Sequence, residues 1–264
     1  MVPGEREGGE VFSITAGESE FQVAPGFAAA VISWKVAGKE WLLSAFPQPR
    51  AFSWLSPWFG GIHPILYELA LEEANWPGRL YREDFGGEPW TGKIGGMALS
   101  GVRLTSRLKG KGLEGLSVEV LYASPGEDVL LSALKVVNHG RPRRLAGGFL
   151  GFLSPDGEHR ETALKTPGRT RIPSPYHAWY EARGWALVQA PSGAGILAVA
   201  PSRVEVGTWD AGEDGRHLGL NRSFSLAPGE GVSIWGWWVA LAPGEEPTPW
   251  VALQRIPGPE GLDN

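Results

Sequence analysis

The stretch Phe21-Gln-Val-Ala-Pro-Gly-Phe-Ala-Ala-Ala-Val-Ile-Ser-Trp-Lys-Val-Ala-Gly-Lys-Glu-Trp-Leu42 decides the fold class. Two runs, Phe21–Val23 and Ala28–Val36, flank Ala24-Pro-Gly-Phe27, and a third, Glu40–Leu43, follows Ala37-Gly-Lys39. Proline presets the first corner of a reverse turn and glycine accepts the positive φ of the second, so these runs read as strands joined by turns. The same grammar recurs at Ser124-Pro-Gly-Glu127, Ser154-Pro-Asp-Gly157, Ala190-Pro-Ser-Gly193, Ala227-Pro-Gly-Glu230 and Ala242-Pro-Gly-Glu245. It separates further predicted strands at Val11–Ile14, Leu99–Leu108, Leu116–Tyr122, Val129–Val137, Arg144–Leu153, Trp185–Ala190, Ile196–Ala200, Ser223–Leu226 and Val232–Leu241. Strands following strands predict an all-β chain rather than alternating strand and helix units.

Three segments read differently. In Ile65–Ala74, strong helix formers and the spacing of apolar residues set a short helix against a strand, and Asn75-Trp-Pro-Gly78 stops either one. Arg79–Gly96 and Pro155–Pro175 are polar and glycine-rich and read as long irregular loops, the sort that carry function in compact domains. Residues 1–246 read as a single β-sandwich domain and residues 247–264, rich in proline, as a C-terminal tail.

Of 264 residues, 42% are hydrophobic, enough for a sizeable core, and 13 are tryptophan. The net charge of −5 comes without a basic run, which argues against nucleic acid as a partner. No apolar run reaches the roughly 20 residues that span a bilayer, so no membrane partner is expected. The absence of cysteine excludes disulfides, thiolate metal sites and cysteine nucleophiles. The acidic, glycine-rich start is unlike a signal peptide, and a cytoplasmic protein is expected. Four Asn, four Gln and two Met make up a composition typical of thermophiles, although the excess of Arg (17) over Lys (7) is also what a GC-rich genome produces.

No nucleophile elbow, phosphate-binding glycine loop, zincin helix or dinucleotide fingerprint occurs. Asp210-Ala-Gly-Glu-Asp-Gly215 superficially resembles a calcium loop, but Gly212 and Asn221 stand where ligands are needed. No metal and no cofactor are expected. The densest local signal is Phe52-Ser-Trp-Leu-Ser-Pro-Trp-Phe-Gly-Gly-Ile-His-Pro64. Sugars lay their C–H faces on indole rings while polar side chains take the hydroxyls, so tryptophans on loops beside His, Asp and Glu are suitable binding material. Trp34, Trp41, Trp185, Trp235, Trp237 and Trp238 fall in strand-like runs and are core candidates, whereas Trp58, Trp90, Trp179 and Trp209 fall in predicted loops and are ligand-facing candidates.

The stretch Phe21–Leu42 resembles the opening of galactose mutarotase-like domains, with its strand, Pro-containing turn, second strand and Gly-Lys-Glu-Trp-Leu hairpin. Ser56–Pro64 resembles the Pro-Trp-Phe-Gly and Gly-Gly segments of the hexose-phosphate epimerase branch. Leu134-Lys-Val-Val-Asn138 and the closing Phe224–Glu230 hairpin agree in order. The resemblance implies a supersandwich of two large antiparallel sheets with a sugar cleft on a concave sheet. It also implies aldose 1-epimerase chemistry, in which a glutamate takes the anomeric proton and a histidine protonates the ring oxygen. The chain departs at both positions: Gly147–Phe152 has no histidine where the family places its acid, and Gly219–Phe224 has no glutamate.

His63, His177, Asp210 and Glu213 are the candidates for a relocated acid and base, and Trp58, His63, Trp90, His177, Trp209 and Arg82 for binding a sugar or sugar phosphate. Arg50 and Arg79 are further candidates for a phosphate. His139, His159 and His217, with charged or glycine neighbours, read as solvated. Three readings follow: a carbohydrate-recognising domain with the usual acid and base lost or displaced, an aldose or hexose-6-phosphate 1-epimerase with relocated groups, and an accessory domain packing against a partner domain or subunit of a larger carbohydrate-active enzyme.

Overall fold

The computed structural model describes residues 3–6, 9–50, 59–69, 80–171, 178–201, 205–210 and 215–259. These contain nineteen strands in two antiparallel sheets. The ten-stranded sheet is built from β1 (Pro3–Arg6), β2 (Gly9–Ala16), β3 (Ser19–Ala24), β4 (Ala30–Val36), β6 (Ile62–Glu68), β11 (Arg143–Phe152), β18 (Arg216–Leu226), β17 (Glu205–Asp210) and β14 (Ala178–Ala182), in that spatial order, with β5 (Lys39–Glu40) paired to β4. The nine-stranded sheet runs β13 (Arg169–Arg171), β12 (Ala163–Thr166), β15 (Trp185–Gln189), β16 (Gly195–Val199), β19 (Gly231–Leu241), β10 (Val129–Asn138), β9 (Leu116–Ser124), β8 (Met97–Arg107), β7 (Gly86–Ile94). The sheets pack face to face, as the all-β supersandwich expectation requires.

The main core lies between the sheets and takes alternate residues from each strand, among them Phe12, Trp34, Val120, Leu134, Phe149, Leu220 and Trp238. Two buried indoles are satisfied by serines: Trp34 Nε1 donates to Ser19 Oγ (2.9 Å) and Trp238 Nε1 to Ser132 Oγ (2.8 Å). The Gly-Lys-Glu-Trp hairpin is held by Glu40, whose Oε1 accepts from the amides of Trp34 (2.9 Å) and Leu42 (3.1 Å). The core assignment holds: Trp34, Trp41, Trp237 and Trp238 are buried, and Trp185 and Trp235 are half-buried against the second cluster. That cluster, on the far side of the nine-stranded sheet, is overlaid by Trp250, Leu253 and Ile256 from the helical turns Thr248–Val251 and Ala252–Arg255.

Several expectations are corrected. His63, read as loop-borne, lies within β6; of Ile65–Ala74, where helix and strand stood open, Ile65–Glu68 belong to this strand, with Ile62 and Leu66 packed into the core and Ile65 on the opposite side, while residues 70–74 lie outside the described residues. Pro64 is tolerated there because β4 pairs with β6 only at Val31↔Ile62, so no ladder donor is missed on that side. Arg79–Gly96 contains β7, and Pro155–Pro175 contains β12 and β13. Trp90, Trp179 and Trp209 likewise sit in strands, not loops. No helix among the described residues is long and apolar enough to cross a membrane.

Candidate functional site

In the middle of the ten-stranded sheet, residues turned toward the core identify by alternation those on the outer face. Ile62 and Leu66, Leu145, Phe149 and Leu153, Leu218 and Leu220, Val206, and Ala182 belong to the core. Their neighbours therefore share the other face, and the registers set them in rows. In one row Trp209 pairs with both Trp179 and His217, and His217 with Phe152. In the next, His63, Leu150, Gly219, Gly207 and Glu181 pair in turn across five strands. A third runs Ile65, Gly148, Asn221, Glu205. The register thus sets the positions of Trp179, Trp209, His217 and Phe152 beside a row whose centre holds two glycines, with the exposed carboxylates Glu181 and Glu205 at one side.

Local structure explains the placement of His63. Gly60 and Gly61 both have positive φ (70° and 67°). A Cβ on Gly61 would lie 2.1 Å from the Val31 carbonyl oxygen, so only glycine lets the chain pass between β4 and residue 43 as it enters β6. Two backbone bonds, Gly61 N to Leu43 O (2.5 Å) and Phe152 N to Gly61 O (2.8 Å), bring this entry against the end of β11. His63 is consequently buried, and its Nδ1–H donates to Gly60 O at 3.2 Å. Its ring lies 5.7 Å from that of Phe152, which is 4.2 Å from the ring of His217. Below them Tyr122 of the opposite sheet donates its hydroxyl to the carbonyls of Ala29 (3.0 Å) and Ile62 (3.2 Å), tying the two sheets together beneath the site.

Burial lowers the His63 pKa to about 4, only partly opposed by the bond to Gly60. The ring is neutral at pH 7, with the proton on Nδ1 and an acceptor lone pair on Nε2. It has no proton to deliver as a general acid.

The candidate residues do not all converge. His63 is in the site, and the backbone registers put Trp209 and Asp210 at its edge, Asp210 pairing with Arg216. Trp58, His177 and Glu213 lie outside the described residues; in the chain they adjoin Phe59, β14 and the β17–β18 connection. Arg82 is exposed, with its guanidinium 5.4 Å from the Tyr81 ring centre, at the end of an aromatic ladder through Phe59 and Phe27. Trp90 is elsewhere, on β7 at the far edge of the other sheet. His217, expected to be solvated, is fully buried on β18. Sequence reasoning also missed Asn221, Glu181 and Glu205; the clue available was the alternation Arg216–Asn221, where His217, Gly219 and Asn221 alternate with buried Leu218 and Leu220.

No family model matches the sequence, and no curated protein matches it. Solved structures do match in fold. The chain is 12% identical to galactose 1-epimerase from Lactobacillus acidophilus, with a TM-score of 0.63 over 91% of this chain and 97% of that one. A galactose mutarotase-like protein from Clostridium acetobutylicum gives 11% and 0.63 over the same shares, 91% and 97%. A protein from Synechocystis gives 16% and 0.64 over 87% of this chain and 95% of that one. The fold is that of the galactose mutarotase-like proteins.

Proposed function

We propose that the outer face of the ten-stranded sheet binds a pyranose sugar and that the chain is a carbohydrate-recognition domain in which the acid and base of an aldose 1-epimerase are not assembled. The observation that carries this reading is the register row Trp179–Trp209–His217–Phe152 lying directly beside the row His63–Leu150–Gly219–Gly207–Glu181. A register row rich in aromatic residue types beside two glycines suits the flat C–H face of a sugar, and Glu181, Glu205 and Asn221 supply acceptors and a donor for its hydroxyls. The likeness to galactose 1-epimerase and mutarotase-like structures supports a sugar as the ligand.

Two observations argue against turnover. Leu150 occupies the stretch where the resemblance calls for the acid histidine, and the nearby His63 is neutral at pH 7. The test is exchange NMR between the α and β anomers of glucose, galactose and their 6-phosphates. The expected result is ring resonances broadened by binding with no acceleration of anomer exchange above the buffer rate. Acceleration that is lost in Glu181→Gln would instead establish a relocated acid–base pair and overturn the non-catalytic reading.

A further inference from the structure

The outer face of the nine-stranded sheet is apolar across its width. One register row crosses seven strands, β15, β16, β19, β10, β9, β8 and β7, and carries Trp185, Trp237 and Trp90, with Trp235 two residues along β19 on the same face. A contiguous apolar face of this kind is an interface in waiting unless something covers it. Its cover is a strap formed by residues 248–259 of the same chain, which sets Trp250, Leu253 and Ile256 against the cluster. A Cβ on Gly95 would lie 2.7 Å from Ile256 Cγ2, and one on Gly258 2.9 Å from Trp235 Cζ2, so the strap is seated closely.

Apolar contact is all that seats it. Among the described residues, the hydrogen bonds of residues 242–259 close within the segment: Glu245 N donates to Ala242 O (3.0 Å), and the Glu245 carboxylate accepts from Ala242 N (3.0 Å) and Trp250 Nε1 (2.7 Å). No strand of the sheet gains a backbone bond from the strap. The anchors Trp250, Leu253 and Ile256 are only half-buried. Trp235 Nε1 and Trp237 Nε1, buried on this face, find no acceptor among the described residues, whereas Trp34 and Trp238 in the main core each have a serine. Segments attached in this way open locally at a lower cost than the whole domain.

We infer that residues 248–259 dock as a separable segment and that the same face takes this segment from a second copy of the chain, giving a dimer with exchanged straps. The fit made within one chain fixes the occupant, because a second copy presents the identical side chains to the identical face. Reciprocal exchange closes with two-fold symmetry and leaves no new apolar surface in water. Residues 242–247 reach about 20 Å when extended, against roughly 10 Å between packed layers, so the strap can cross to a facing sheet. What keeps it at home is the turn Ala242-Pro-Gly-Glu245, in which Gly244 has a φ of 84°. The inference does not rest on the sugar-binding reading, which concerns the other sheet.

The test is sedimentation of the full chain. Wild type should be monomeric at about 10 μM, because a tethered segment has an effective concentration in the millimolar range. Gly244→Pro cannot adopt a φ of 84° and straightens the connector without shortening it, so it should be a dimer at the same concentration. Adding Trp250→Ala/Ile256→Ala to Gly244→Pro removes two anchors and should restore the monomer. In a second measurement, a synthetic peptide of residues 247–259 is titrated into the 15N-labelled Trp250→Ala/Ile256→Ala chain. The Trp235 indole N–H, identified by its loss in Trp235→Phe, should shift saturably. A monomeric or unfolded Gly244→Pro, a dimer that survives loss of both anchors, or the lack of a saturable shift with the peptide overturns the inference.

Discussion

Gly148→Ala is expected to destabilise the chain by about 4 kcal/mol or more, the range reached only when a substitution breaks a structural necessity. Gly148 has a φ of 150°, and an added Cβ would lie 1.6 Å from the carbonyl oxygen of Leu220, 2.7 Å from its carbon and 3.1 Å from the Asn221 Cα. All three are backbone atoms of β18, so no side chain can swing aside; the two central strands of the sheet must separate. Gly96, with a φ of 84° and nothing within 4 Å of its Cβ position, is the control. Gly96→Ala meets only the conformational penalty and should cost about 1 kcal/mol. Urea unfolding of the two variants gives the comparison, and equal losses would contradict the close approach of β11 and β18. The consequence reaches function, because the pair β11 and β18 carries Leu150, Phe152, His217, Gly219 and Asn221.

Stability should also fall by about 3 kcal/mol as the pH drops from 7 to 4, through His63 alone. Its pKa is about 4 in the folded chain against 6.5 for an ordinary histidine. Between these values the unfolded chain binds a proton that the folded chain refuses, so stability rises with pH across this window and is complete above it. Paired carboxylates such as Asp156, held low first by its bond to Lys39, lose their contribution only at lower pH, below the ordinary carboxylate range. Urea titrations at intervals from pH 7 to pH 4 on the wild type and on His63→Gln separate the two: the variant should show a flatter profile above pH 4.5. Parallel profiles would mean that His63 is hydrated and titrates normally.

How much of this was legible in the sequence depended on where each strand sits. Central strands such as β10 and β19 announce themselves, since Val129–Asn138 and Gly231–Leu241 are apolar on both faces and are cut by Pro-Gly turns. The four strands that end the two sheets, β1, β14, β13 and β7, were unreadable. An edge strand such as β7, largely exposed along its length, has no buried face to impose alternation, and its backbone pairing leaves no trace in the side chains. In Ile65–Glu68 the sequence left helix and strand both open, and pairing with β11 decides for the strand over the local helix propensity.

The site was half visible. The dense Phe52–Pro64 segment pointed to His63 as a candidate, and that histidine is buried on the outer face of the sheet. What could not be read was juxtaposition. His217 looked solvated beside Arg216 and Gly215, and only the register of β18 against β11 and β17 sets it between Phe152 and Trp209. Trp90 resembled the other loop tryptophans in local sequence, yet β7 carries it to the opposite sheet.

Sugar occupancy of the outer face is the central claim, and a fluorescence titration of wild type against Gly219→Val tests it most directly. The valine Cβ would come within 2.8 Å of the end of the Asn221 side chain and 3.4 Å of the Phe149 carbonyl oxygen, so the flexible Asn221 amide must move aside as the floor of the site is filled. Glucose or galactose should change the indole emission of the wild type saturably, and the variant should bind at least about tenfold more weakly. Equal responses from the two proteins, or none from the wild type, would contradict the account.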